Sequence, residues 1–363
     1  MAIPAQQIGW DQKSKLLWNI SKQLEQLIKV SSKVSPGIPA TSTTTTTTTT
    51  ALPINTSFIA TFIVSNDGDS ITLPYNPAGT YTGTIDWGDG NTTSNSYANQ
   101  SHQYTTAGTY TITIDGAISD FSFGVYGGTN TSLMDILQWG TQFRFGNSGM
   151  YFFNCGQLMT LSAIDVPNLT GTTNMARAFQ GSSFNASINA WDMSGVTNMS
   201  QMFADANYFN QPLNYWDVSN VTDMNAMFRG SLTFNQPINS WNVSNVVDMN
   251  TMFAYSNMFN QPLNSWNTLS VTDMSYMFNQ CVFNQDISSW NVANVTNMIS
   301  MLSNSTQFST TNLDAIYNSW SALPSLQTGV NFEAYPCYDS SASAGRAILT
   351  DTYGWIITDG GVC

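Results

Sequence analysis

Aspartates at a fixed spacing are the residues in this sequence whose type and pattern could bind a cation. Asp223, Asp248 and Asp273 follow one another at intervals of 25 residues, and Asn198 and Asn297 occupy the same position at the two ends of the series. If the segments that carry them stack like strands, neighbouring carboxylates would lie about 5 Å apart. The favoured interpretation is that these residues begin solvated turns, and the alternative is a calcium ion bound between them. No other cofactor is predicted.

Enzyme chemistry has little support in the sequence. His102 is the single histidine, so a His-rich metal site is excluded and a Ser-His-Asp site would depend on this one residue. No glycine-rich phosphate loop follows a strand-like segment. The carboxylates are almost all aspartates on repeated turns, a pattern that favours a solvated scaffold over the carboxylate pair of a glycosidase. We therefore predict no catalytic residue and no enzyme activity.

The four cysteines fall into two groups by position. Cys337 and Cys363 flank the C-terminal part of the chain, and we expect them to form a disulfide. Such a bond would stabilise the fold by about 3–4 kcal/mol, because it restricts the unfolded chain. Cys155 and Cys281 lie inside the repeated part of the chain and are expected to be buried thiols.

The elements that position these side chains belong to a repeat of about 25 residues. The pattern Phe-Asn-Gln-Pro-Leu-Asn-x-Trp-Asp-Val-Ser-Asn-Val-Thr-Asp-Met-x-x-Met-Phe occurs, with variations, five times between residues 184 and 302. A fixed period of roughly 20–50 residues is typical of a solenoid, in which each unit buries its apolar face against its neighbours. The predicted repeat core consists of Trp191, Trp216, Trp241, Trp266, Trp290, Met199, Met224, Met249, Met274, Met298, Phe203, Phe228, Phe253 and Phe278.

The spacing within one repeat predicts the shape of one coil. Trp216 and Val218 alternate with the polar Asp217, which is the period of a short strand. Met224 and Phe228 then follow at helical spacing, which indicates a helical or 3-10 turn on the far side of the coil. Stacked coils would therefore form a narrow parallel sheet from their Trp-x-Val segments.

These repeats resemble the BspA-like family of leucine-rich-repeat surface proteins. The likeness covers roughly residues 133–360 and includes the Phe-Asn-Gln, Trp-Asp-Val-Ser-Asn-Val-Thr and Met-x-x-Met-Phe elements. It implies a solenoid with an adhesive or surface role, and similar repeats occur in phage and other viral proteins. Residues 117–183 are expected to be a cap with degenerate repeats, in which 133–139 echoes the repeat strand, and residues 303–363 are expected to be a C-terminal cap.

Residues 54–116 have the pattern of short β-strands bounded by turn residues. Strands are predicted at 58–64, 69–73, 81–87 and 109–114. The Trp87-Gly-Asp-Gly turn and the segment that starts at His102 resemble the polycystic-kidney-disease (PKD) domain, a small immunoglobulin-like sandwich. The resemblance implies a structural role for His102. Asp86 and Asp89 are interpreted as turn formers rather than calcium ligands.

The N-terminal segment, residues 1–34, predicts an amphipathic helix that acts as an anchor. Its apolar stripe consists of Leu17, Ile20, Leu24, Leu27 and Val34. A helix this short is marginal alone, so we expect either a homo-oligomer, with a trimer favoured, or docking onto another protein; the alternative is packing on its own chain. Residues 35–53 form a Thr/Pro-rich linker.

Composition narrows the possible functions. The net charge is −13, and all five lysines lie in the anchor segment. The remaining chain is acidic, which makes nucleic-acid binding improbable, and no apolar run is long enough for membrane insertion.

The opening residues lack an export signal and resemble the start of some phage structural proteins, although a trimmed leader would look similar. The overall expectation is a mainly β protein with an N-terminal helix, an immunoglobulin-like sandwich and a leucine-rich-repeat solenoid. Its expected role is that of a virion appendage, a head or tail fibre or decoration protein held on capsid or tail proteins through residues 1–34. Its repeats would bind a host surface glycan or protein, and the alternative is a bacterial cell-surface adhesin.

Overall fold

Antiparallel strands dominate the first part of the protein that the structure describes. The computed structural model describes residues 56–363, so the predicted anchor helix and linker lie outside the described residues. The described chain consists mainly of β-structure and turns, with few helices. The strands of its first part are β1 (Phe58–Val64), β2 (Ser70–Thr72), β3 (Thr84–Asp86), β4 (Thr92–Ser94), β5 (Ser101–Gln103), β6 (Gly108–Asp115), β7 (Ile118–Ser119), β8 (Leu133–Gln138) and β9 (Phe143–Arg144).

Five of these strands form one sheet in the order β4-β3-β6-β1-β8. β1 pairs antiparallel with β6 over its whole length, from Phe58 opposite Ile114 to Val64 opposite Gly108. Buried residues alternate with partly exposed ones along β1, because one face of the strand packs on the core. β2 and β5 form a separate antiparallel pair, and β7 pairs with β9 in parallel. Strands are therefore present in each of the four segments predicted between 58 and 114.

The position of β8 differs from the expectation. This segment was expected to echo the strand of the repeats, but Asp135 of β8 lies opposite Thr61 of β1 in the antiparallel sheet. The physical reason is that the outer edge of β1 would otherwise leave backbone N–H and C=O groups unpaired. β8 covers that edge, and its Leu133 and Ile136 side chains are fully buried.

Consecutive repeats are joined by backbone hydrogen bonds in the segment that contains Met-x-x-Met-Phe. The N–H groups of Met224, Ala226 and Phe228 in the second repeat donate to carbonyls of the third repeat at 3.0, 2.8 and 3.0 Å. Between them, the Met227 N–H donates to the carbonyl of Met224 in its own repeat at 3.2 Å. Thus the N–H of one residue closes a turn within its own repeat, and the N–H groups of the residues on either side of it bind the neighbouring repeat.

The hydrogen-bond ladder shows that two elements of the predicted coil were wrong. The Trp-x-Val segments are not strands, and the Met-x-x-Met-Phe segments are not helical turns. The reason lies in the backbone, because Ala226 between the two methionines has a φ of 51°, and its equivalents Thr251 and Tyr276 have φ values of 54° and 56°. A left-handed residue interrupts a right-handed helix. The helical spacing of the apolar residues therefore reflects their shared burial rather than a helix.

The repeated aromatic and methionine side chains pack inside, in register from one repeat to the next. The rings of Trp216 and Trp241 lie 6.3 Å apart and 8° from parallel. The rings of Phe203 and Phe228 lie 5.6 Å apart at 4°. All fourteen predicted core residues are buried, with the tryptophans at most 4% exposed. Burial of this apolar area is the main contribution that holds one repeat on the next.

A parallel sheet begins in the fifth repeat and continues, with short helices, into the C-terminal part of the chain. β10 (Met298–Leu302), β11 (Asn331–Ala334) and β12 (Ile356–Thr358) form a parallel sheet in that order. The described helices are α1 (Phe123–Tyr126), α2 (Thr310–Trp320) and α3 (Ser343–Ala347), with 3-10 turns at Tyr97–Asn99, Asn130–Ser132 and Ser340–Ala342 and a π-helical turn at Ile348–Thr352. None of the helices between residues 56 and 363 is long and apolar enough to cross a membrane.

Candidate binding surface

The aspartate column lies at the start of the hydrogen-bond ladder. Parallel backbone bridges join Asp223 to Asp248 and Asp248 to Asp273. Each Oδ1 accepts the N–H two residues further along, from Asn225 at 2.9 Å and from Asn250 at 2.8 Å in the first two cases. These carboxylates therefore cap the turns that follow them. Among residues 56–363 no group of three or more His, Cys, Asp or Glu side chains is placed to hold a metal ion.

Asp248, in the middle of the column, lies in an unfavourable electrostatic environment. Burial raises the pKa of Asp248, and the carboxylates of Asp223 and Asp273 raise it further, while the hydrogen bond from the Asn250 N–H opposes the change. At the end of the column Asn297 has no charge, and its Nδ2 donates to Asp273 Oδ2 at 2.9 Å. Ionisation of the central carboxyl therefore has an energetic cost.

Indole groups fix the register of the repeats from the inside. Trp216, Trp241, Trp266 and Trp290 each donate their Nε1–H to a carbonyl of the preceding repeat, at 3.0–3.1 Å. A shift of register would leave the buried Nε1–H donors unpaired, which is costly. The tryptophans thus contribute both apolar area and a specific alignment.

An asparagine ladder fixes the same register from the outside. The N–H of Asn235 donates to Asn210 Oδ1 at 3.0 Å, and the N–H of Asn260 donates to Asn235 Oδ1 at 3.0 Å. Gln236 Nε2 donates to Asn210 Oδ1 as well, at 3.0 Å. The oxygens of this ladder are thus engaged in holding the stack together, which leaves them less suited to a ligand.

A polar groove with a volume of about 640 Å³ opens on the third and fourth repeats. The residues that line it are Asn239, Ser240, Trp241, Asn242, Ser265 and Asn267. Asn239 is held in place, because its Oδ1 accepts the Ser265 N–H at 2.9 Å and its Nδ2 donates to Asn264 Oδ1 at 3.1 Å. No lining residue carries a charge.

Two amide groups of this groove have free donors. Asn242 and Asn267 use Oδ1 to accept the N–H of Ser244 and Leu269, each at 3.2 Å. Their Nδ2 groups have no hydrogen-bond partner among residues 56–363. Both residues occupy the same repeat position, so the two donors lie in neighbouring repeats.

An exposed tyrosine lies one repeat away from the groove. Tyr215 is 62% exposed and takes, in the second repeat, the position of Ser240 and Ser265. Its N–H donates to Asn189 Oδ1 at 3.0 Å, as the Ser265 N–H donates to Asn239. This equivalence places Tyr215 one repeat before Ser240.

His102, on β5, contacts the turn that follows β3. Its Nε2 lies 2.8 Å from Asp89 Oδ2, and its ring stacks on Trp87 with ring centroids 5.1 Å apart. Burial opposes ionisation of Asp89, but hydrogen bonds from His102 and Asn91 outweigh it and lower the pKa of Asp89 to about 2. Asp86 Oδ1 likewise accepts an N–H within the turn, at 2.9 Å. These contacts suit a turn former.

The cysteines have two different environments. Cys337 and Cys363 form a disulfide with their Cα atoms 5.3 Å apart. Cys155 and Cys281 are buried free thiols. Burial raises the pKa of both thiols, that of Cys281 to about 12. The Cys281 thiol donates to the Ser256 carbonyl at 3.2 Å, at a repeat position where the other repeats carry Ala or Ser.

The remaining predicted site residues lie outside the described part of the chain. These are the anchor residues Leu17, Ile20, Leu24, Leu27 and Val34, so the predicted trimer and the docking on capsid or tail proteins stay predictions.

The sequence analysis did not predict the groove. The available signal was a change at one repeat position from Asp192 and Asp217 to Asn242 and Asn267. Sequence reasoning interpreted only Asp217, as the outward residue of a predicted strand, and spacing does not indicate which amide groups keep a free donor.

The repeats are similar to one known family. Residues 148–258 and 233–322 match a family model described as "Mycoplasma protein of unknown function, DUF285". Together the two segments span just under half of the chain. Neither the curated proteins nor the solved structures give a match to this chain.

Proposed function

We propose that this chain is a structural appendage of a phage virion, a head or tail fibre or decoration protein, whose repeats attach to the host surface. The observation that carries the proposal is the packing of the repeats. Their Trp, Met and Phe core side chains are buried in register, while many outward positions carry amides and hydroxyls, with exposed tyrosines such as Tyr208 and Tyr215 among them. Such an exterior offers neutral hydrogen-bonding groups at regular intervals, which suits attachment better than catalysis.

The proposal includes a more specific assignment of the two folded parts of the chain. The repeats form a solenoid related to the leucine-rich repeats of BspA-like surface proteins, and the preceding sheet is a PKD-like domain. The parallel bridges from Asn174 through Asn198 to Asp223 support the solenoid, since each repeat contacts the next at the same position. The antiparallel sheet and the Trp87–His102 contact support the PKD-like domain.

Residues 1–34 provide the anchor in this proposal. The apolar stripe from Leu17 to Val34 associates with other copies of the chain, most simply as a trimer, and docks on a capsid or tail protein. The Thr/Pro-rich linker then spaces the displayed domains from the particle.

Deletion of residues 1–34 in the phage that encodes the chain tests the anchor. We expect particles that lack the protein, whereas deletion of the Thr tract at 41–50 should leave incorporation unchanged. Normal incorporation without residues 1–34 would refute the proposal.

A bacterial cell-surface adhesin is the second candidate, and the BspA-like resemblance of the repeats favours it. The two are separated by fractionation of uninfected cells, because the adhesin must be present in their envelopes and the virion protein must not.

A further inference from the structure

We infer that the groove on the third and fourth repeats is a binding site for a neutral glycan. The inference rests on the proposed attachment function and names the ligand class and the residues that bind it. Asn242 and Asn267 donate to the glycan, and Tyr215 packs against it at the side of the second repeat.

The free amide groups are fixed in orientation before any ligand binds. The Oδ1 atoms of Asn242 and Asn267 are held at 3.2 Å by the N–H groups of Ser244 and Leu269. The Nδ2 groups therefore have defined directions, and the ordering cost is reduced when an acceptor binds. Sugar hydroxyl and acetamido oxygens are acceptors of the required kind.

The repeat of the protein matches the repeat of such a ligand. Equivalent residues in neighbouring repeats are separated by about 5 Å, the spacing of hydrogen-bonded strands. One hexose unit of an extended glycan has a similar length. Asn242 and Asn267 can therefore bind two successive sugar units with the same geometry.

The charge pattern favours a neutral ligand over an acidic one. The groove has no charged lining residue. The same repeat position carries Asp192 and Asp217 in the first two repeats, and the chain has a net charge of −13. An anionic glycan or phosphate polymer would be repelled by this field.

Tyr215 supplies the apolar contact that a sugar ring needs. It is 62% exposed although it is large and aromatic, and it lies one repeat before Ser240. The face of an aromatic ring is a rigid apolar surface with a polar group at one end. A pyranose face packs on such a surface while its hydroxyls bond to the amides.

The test measures binding of the full chain to neutral and acidic oligosaccharides on an array, followed by calorimetry with the neutral oligosaccharide that binds best. The double variant Asn242→Asp/Asn267→Asp keeps the turns, because Asp192 Oδ1 accepts the equivalent N–H at 3.1 Å, but it removes both donors. We expect this variant to bind at least about tenfold more weakly, and Tyr215→Ala about tenfold more weakly.

The control is the double variant Asn207→Asp/Asn257→Asp, which adds the same two negative charges at exposed positions of the first and third repeats outside the groove. It should bind like the wild type. Wild-type affinity in Asn242→Asp/Asn267→Asp, binding of acidic glycans alone, or binding of peptides alone would overturn the inference. If the wild type adheres to host cells but binds no glycan, the inference fails and the attachment function stands. If it does not adhere to cells, the attachment function fails as well.

Discussion

The indole N–H of Trp241 donates to the backbone carbonyl of Leu213, 3.0 Å away in the preceding repeat. Trp241 is 3% exposed, and its ring also stacks on that of Trp216. One side chain therefore provides apolar contact and a directed hydrogen bond across the same boundary between repeats. The Leu213 carbonyl also accepts the Trp216 N–H at 3.2 Å, so loss of the indole N–H removes one of its two hydrogen bonds.

Trp241→Phe should lower the free energy of unfolding by about 1–2 kcal/mol, because it keeps an aromatic ring but removes one buried hydrogen bond and part of the buried ring. Trp241→Ala should cost about 3–5 kcal/mol, because it also leaves a cavity. Denaturant unfolding at equilibrium measures both. Tyr208→Phe, at an exposed aromatic position of the first repeat, is the control and should change stability by less than about 0.5 kcal/mol. Equal stability of Trp241→Phe and wild type would show that the indole bond is dispensable.

Asp248→Asn should stabilise the protein at neutral pH. An asparagine retains the Oδ1 acceptor, as Asn198 does for the Ser200 N–H at 2.8 Å. Removal of repulsion by Asp223 and Asp273 should add about 0.5–1 kcal/mol to the free energy of unfolding at pH 7.

The same variant should change the pH dependence. The pKa of Asp248 is raised in the folded protein above its ordinary value of 3.8, so the ionised carboxylate costs stability above the folded pKa, and this cost is absent below the unfolded value. The advantage of Asp248→Asn should therefore be present at pH 7 and vanish at pH 3. The exposed Asp217→Asn serves as control, with little expected effect at either pH. An equal gain in stability of Asp248→Asn at pH 3 and pH 7 would contradict a raised pKa of Asp248 as its cause.

Removal of the Cys337–Cys363 disulfide should destabilise the C-terminal part of the chain. The bond joins residues 26 apart in sequence, so the double variant Cys337→Ser/Cys363→Ser should lose about 3 kcal/mol. Denaturant unfolding with and without reductant measures the loss. Reductant should shift the wild type but leave the double variant unchanged, and an equal shift in both would place the reducible bond elsewhere.

The thiols of Cys155 and Cys281 should resist alkylation in the folded protein. Both are buried, and burial raises their pKa values, that of Cys281 to about 12. The thiolate that reacts with iodoacetamide is therefore scarce and inaccessible at pH 8. Labelling followed by mass spectrometry should be at least about 100-fold slower than in denaturant. Rapid labelling of either residue under native conditions would show that the repeats open locally.

Several features of the fold followed from spacing. Residues that recur at one repeat position, such as Met224 and Met249, share one environment because each repeat contacts the next in register. The strand-like run at 58–64, bounded by turn residues, indicated a short strand, and β1 has those bounds. The expectations that Cys337 and Cys363 pair and that Asp223 begins a turn came from position and residue type alone. The structure contains the disulfide, and Asp223 accepts the Asn225 N–H at the start of its turn.

Other features depended on backbone conformation, which the spacing does not encode. Ala226, Thr251 and Tyr276 adopt left-handed φ values although none is a glycine, so the segment predicted as a turn became the hydrogen-bond ladder. The segment 133–138 pairs with the edge of β1 in the antiparallel sheet rather than with the repeats. Neither outcome has a signature in composition.

The sequence by itself determined which side chains recur and which of them must leave water, because apolar residues at a constant period can be buried only between neighbouring copies. The tertiary structure decided which backbone segment of each repeat pairs with the next, and which outward amides keep a free donor. The pairing depends on φ angles and joins residues about 25 positions apart, and the free donors depend on the direction of each amide group, which the N–H two residues further along fixes.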